Sequence, residues 1–92
     1  MLASLYEQFG YIDAYELMCD LCKDVTIYGK LIMELDLPIN NKREHLDLSL
    51  RLYVWEDHTY VITKVNGKYQ ALDHYEDINV AMDYMRQWVE EV

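Results

Sequence analysis

From Leu46 to Val54 every second residue is aliphatic: Leu46, Leu48, Leu50, Leu52 and Val54, with Asp47, Ser49, Arg51 and Tyr53 between them and Trp55 following. A period of two belongs to a β-strand with one face turned to a core. On a helix, at ~100° per residue, the same five residues would scatter over opposite sides. A chain carrying this strand needs partner strands beside it and a further layer over its leucines.

The partner strands follow at once. Val65-Asn66-Gly67-Lys68 places Asn-Gly between two runs rich in β-branched and aromatic residues, Thr59–Val65 and Lys68–Leu72. Asn-Gly tolerates positive φ at both central positions of a type I′ turn, so these runs form a hairpin. Glu56-Asp57-His58 turns the leucine strand into the first of them. Upstream, Leu31, Met33, Leu35 and Leu37 alternate with Lys30, Ile32, Glu34 and Asp36, which reads as a fourth strand. Residues 25–37 also admit a helix through Val25, Tyr28 and Ile32, weakened by Gly29 and the β-branched Val25-Thr26-Ile27. Pro38 to His45 reads as a polar loop.

Helices bracket the strands. Ile78, Ala81, Met82, Met85, Trp88, Val89 and Val92 form one apolar stripe at helical spacing, over about 77–91 with Asp77 at the cap. Near the N-terminus Tyr15, Met18, Leu21, Cys22 and Val25 follow Asp13 and Glu16, a pair with capping-box spacing. Met1–Phe9 forms a first short helix broken at Gly10, or belongs to the same helical region. The expected fold is α+β: an N-terminal helix, a three- to four-stranded antiparallel sheet and a C-terminal helix, both helices on one face of the sheet. With 92 residues and 52% hydrophobic content, residues 1–92 are read as one domain.

Charge narrows the function. Seventeen acids against eight bases leave a net charge of −9. Such a balance opposes direct binding to DNA, RNA or anionic lipid, which need clustered Lys and Arg. The excess sits at the two helical ends; residues 37–72, with four acids and five bases, are near neutral. In the first helix Asp13, Glu16, Asp20 and Asp24 recur at spacings of 3, 4 and 4, which keeps them on one face. In the last, Glu76, Asp83 and Glu90 recur at seven. Like charges at such spacing repel by a few tenths of a kcal/mol, about 0.2–0.5 per pair. A solvated face that maintains solubility is one reading. The other is a row of carboxylates standing in for nucleic-acid phosphates.

Aromatic content points the same way. Nine residues are Tyr and one is Phe, although a dry core gains nothing from phenols that need hydrogen-bond partners. Tyr53 and Trp55 occupy the strand face opposite the leucines, with Tyr60 beside them, as candidate interface anchors. The same face covered by a helix, or by a second copy of the chain, is the alternative.

No motif of an enzyme is present: no Gly-rich phosphate loop, no G-x-S-x-G, no H-E-x-x-H. Cys19-Asp20-Leu21-Cys22 is a C-x-x-C without the second ligand pair a zinc site requires, and it lies late in its helix, away from the N-terminus where a redox thiolate is stabilised. The cysteines read as packed thiols. His45, His58 and His74 are scattered. No cofactor and no metal are expected. No apolar run reaches the roughly 18–20 residues of a membrane span and no signal-peptide pattern opens the chain, so a cytoplasmic location is expected.

The helix–strands–helix order resembles the double-stranded-RNA-binding domain, but that family binds through basic helix and loop residues where this chain is acidic. In size, charge and acidic helices against a small sheet, the chain resembles the small inhibitor proteins of phages and mobile elements, anti-CRISPR proteins and other nucleic-acid mimics among them. That resemblance implies a non-enzymatic inhibitor. It would cover the basic surface of a nuclease, CRISPR effector or similar nucleic-acid-handling protein through Asp13, Glu16, Asp20, Asp24, Glu76, Asp83 and Glu90, anchored by Tyr53, Trp55 and Tyr60. The alternatives are a module that self-associates, as a homodimer for example, and an immunity protein or antitoxin.

Overall fold

The computed structural model describes residues 11–40 and 45–91. The described residues form helix α1 (Tyr11–Tyr28), strands β1 (Lys30–Asn40), β2 (His45–Trp55), β3 (His58–Val65) and β4 (Lys68–Tyr75), and helix α2 (Ile78–Glu91). The strands make one antiparallel sheet in the order β1-β2-β3-β4. The expected α+β architecture is therefore present. The short helix expected over Met1–Phe9 lies outside the described residues.

Each boundary has a local cause. Residues 25–37 divide between both readings: α1 runs to Tyr28 and β1 starts at Lys30. Gly29 separates them. Its N–H donates to the Val25 carbonyl at 2.8 Å, and a Cβ on Gly29 would collide with that same oxygen. Asp13 lies inside α1, in its first described turn, and not at a cap. Asp77 does cap α2, its Oδ1 accepting the Asn79 N–H at 2.8 Å. The polar loop expected from Pro38 is shorter: β1 continues through Pro38, which faces Asp47, to Asn40. Proline is tolerated there because β1 is an edge strand. Asn66 and Gly67 have φ of 52° and 80°, the two positive values of the expected I′ turn. Asn66 also ties that turn to β2, accepting the Asp47 N–H at 2.8 Å and donating its own to the Asp47 carbonyl at 2.9 Å.

The helices lie on opposite faces of the sheet, not on one. The β2–β3 register pairs Leu50 with Thr63 and Leu52 with Val61 on one face, and Arg51 with Ile62 and Tyr53 with Tyr60 on the other. Ala81 and Met85 of α2 pack on the first face with Leu48, Leu50, Leu52 and Val61. Met18, Cys22 and Val25 of α1 pack on the second with Tyr53, Ile62 and Leu72. β3 carries the reason: Val61, Ile62 and Thr63 are buried in succession, which requires cover on both faces. Burying each large apolar side chain on either face, Met18 or Met85 for example, stabilises the fold by about 1.5–3 kcal/mol.

Candidate functional site

The four acids of α1 are exposed, and none is ion-paired with another described residue. They stand opposite the buried row Ala14, Met18, Cys22 and Val25, so burial of that row aims the carboxylates at solvent. Asp83 and Glu90 are exposed on α2, and Glu76 in the bend before it. Asp83 accepts a hydrogen bond from Arg86 at 3.2 Å, so this second acidic face is partly neutralised. The sheet and two helix diameters of ~10 Å each separate the faces. That exceeds the ~8 Å Debye length at physiological ionic strength. The described acids of α1 and those of α2 thus make two fields, one on each side of the sheet.

The aromatic residues fall differently from the expectation. Tyr53 is buried beneath α1, so it is no exposed anchor. Trp55 and Tyr60 pack partly against the same core and keep part of their surface in solvent. Exposed apolar side chains gather instead where α1 meets β1: Ile27 and Tyr28 are 70% and 68% exposed, Leu31 and Ile32 about 40%, while Val80 and Val89 of α2, the latter expected in the buried stripe, are also more than half exposed. The Tyr28 ring stacks on Trp55, with centroids 6.1 Å apart and planes at 24°. Leu17, Leu21 and Tyr28, at spacings of four and seven, run along the edge of the acidic row. Sequence reading missed this corner, yet a signal exists. Val25 is the last buried residue of α1, so Ile27 falls off the buried stripe and faces outward.

Arg51 is the chief cation of the sheet surface. Its guanidinium donates to both Asp36 carboxylate oxygens, at 2.9 and 3.1 Å, and lies 3.5 Å from Glu34. These hydrogen bonds hold the Asp36 carboxyl below the usual carboxylate range. Asp73, half-buried on the α2 face, is displaced upward by desolvation. Burial pushes the Cys22 thiol up to about 12, with Cys19 adding to the effect and Lys64 opposing it. A thiol so placed stays protonated, and so is a poor nucleophile, near neutral pH. An open pocket of about 340 Å³ lies over Asp36, Pro38, Asp47, Ser49 and Gly67. Both of its carboxylates are engaged, Asp36 by Arg51 and Asp47 by His45 at 3.1 Å.

His58 and His74 meet on the α1 face, Nδ1 to Nε2 at 3.0 Å, with Tyr60 against both rings. Among the described residues no group of three or more His, Cys, Asp or Glu side chains is arranged to hold a metal. No described helix is long and apolar enough to cross a membrane. No family model, curated protein or solved structure matches the chain.

Proposed function

We propose that this protein is an acidic inhibitor that docks on the basic nucleic-acid-binding surface of a partner enzyme, in the manner of a DNA mimic or an anti-CRISPR protein. One observation carries the reading: Asp13, Glu16, Asp20 and Asp24 stand exposed on one face of α1 with no basic partner among the described residues. Repulsion along that row works against the helix, and no ion pair with another described residue offsets it. A basic groove would turn the repulsion into attraction and speed encounter. The docking surface is α1 with the Tyr28–Trp55 corner beside it, where carboxylates give steering and apolar side chains give a dry centre. The α2 acids, across the sheet, have no part in the same contact.

A second reading, self-association, draws on the same exposed Ile27, Tyr28, Leu31 and Ile32 at the start of the edge strand β1. A solution mass that stays monomeric across concentration removes it.

The test of the leading reading is capture from a bacterial lysate with tagged protein at low and high salt, followed by competition between the captured enzyme and its nucleic acid. The expected result is a basic nucleic-acid enzyme that salt releases, that DNA or RNA displaces, and that the D13K/E16K/D20K/D24K variant fails to hold. Capture unchanged by this reversal sinks the reading, as does recovery of this chain alone.

A further inference from the structure

We propose that His58 and His74 form a two-point chelate for a divalent transition-metal ion of the Ni(II) or Cu(II) class. Tyr60 and His74 are direct partners across β3 and β4, and His58 lies two residues before Tyr60 on the same face. The two imidazoles are therefore brought together by the β-ladder. Their own hydrogen bond, exposed to water, contributes little to holding them. Tyr60 supports both from one side, with ring centroids 6.4 Å from His58 and 5.3 Å from His74.

The separation of the nitrogens fits two adjacent coordination positions once both rings turn from each other toward a shared ion. Metal–imidazole bonds are ~2.0–2.1 Å long. Two nitrogens 3.0 Å apart then subtend roughly 91–97° at a shared ion. That is the angle between adjacent positions of a square-planar or octahedral ion, the geometries of Ni(II) and Cu(II). Chelation uses both inward lone pairs, so each neutral ring carries its proton on the outward nitrogen, Nε2 of His58 and Nδ1 of His74. Glu56 and Asp57, immediately before His58, and the net charge of −9 favour a cation here. The remaining coordination positions belong to water or to a side chain of a partner.

The experiment is a titration of the full chain with Ni(II), which leaves the Cys19 thiol unoxidised, read by calorimetry and by NMR. The expected result is one saturable site per chain, with paramagnetic broadening strongest at the His58 and His74 ring protons. H58Q and H74Q should each weaken binding at least tenfold, and H45Q should leave it unchanged. All three side chains are exposed, and circular dichroism verifies that each variant is folded. The proposal is overturned if binding does not saturate, if broadening centres on His45, or if H58Q and H74Q bind as the unmodified chain does.

Discussion

The two described hairpin turns of this sheet, β2–β3 and β3–β4, form a matched pair with unequal chemistry. Asn66-Gly67 and Glu56-Asp57 each join antiparallel strands through two residues of positive φ: 52° and 80° in the first, 51° and 63° in the second. Asn and Gly are at home there, whereas an ordinary side chain in the left-handed region costs roughly 1–2 kcal/mol. Replacing Glu56-Asp57 with Asn-Gly removes the strain chiefly at Glu56, with a smaller gain at Asp57, whose short side chain tolerates the left-handed region better, and breaks no hydrogen bond or ion pair given among the described residues. The added glycine returns about 0.5–1 kcal/mol through the flexibility of the unfolded chain. The E56N/D57G variant is thus expected to gain about 1–2 kcal/mol. At ~4–8 °C per kcal/mol for a domain of this size, its Tm should rise by several degrees. Urea unfolding followed by circular dichroism should show a higher midpoint at unchanged slope. The reciprocal N66E/G67D variant should lose at least as much, because it also forfeits the bond from the Asp47 N–H to the Asn66 side chain. An E56N/D57G midpoint equal to or below that of the parent would refute the assignment of strain to this turn.

Other consequences can be checked in the same way. Thr63 Oγ1 is buried and has no hydrogen-bond partner among the described residues, so Thr63→Val should stabilise the fold by about 1 kcal/mol in urea titrations. Arg51→Met should lower stability at neutral pH by less than about 1 kcal/mol, since the Asp36 carboxylate is largely exposed. Asp36 is held down in the folded state, so its contribution is full above the ordinary carboxylate range. It is lost as acid protonates the folded carboxyl, and the Arg51→Met and parent stability curves should converge at low pH. Iodoacetamide at mildly alkaline pH should label Cys19 in the native protein and Cys22 only after denaturant is added, as peptide mass mapping would reveal.

The strands and the last helix were legible because each rests on a local pattern. Leucine alternation marks β2, Asn66-Gly67 marks the β3–β4 hairpin, and the Ile78–Trp88 stripe with Asp77 marks α2. The acidic row of α1 was equally legible, since helical spacing alone puts Asp13, Glu16, Asp20 and Asp24 on one side. The face on which each helix docks was not legible. Alternation in β2 suggested a sheet with one buried face, and the opposing cue, apolar Val61 beside apolar Ile62, lies in a different strand. Tyr53 shows the consequence: its position opposite the leucines leaves an interface anchor and a helix-covered face equally open, and the structure has α1 over it.

What the sequence determined by itself is local: where the chain extends or coils, where it turns, and how charge is distributed along each helix. These follow from periodicities of two and 3.6 and from the backbone freedom of single residues such as Gly29 and Gly67. Only the tertiary structure decided which surfaces share a side of the molecule. Packing set α1 and α2 on opposite faces, divided the described acids of α1 and α2 into two fields and buried Tyr53. It left Ile27, Tyr28, Leu31 and Ile32 exposed, and it brought His58 to His74 from 16 residues away. Such relations depend on contacts between elements distant in the chain, and no window along the sequence contains both partners.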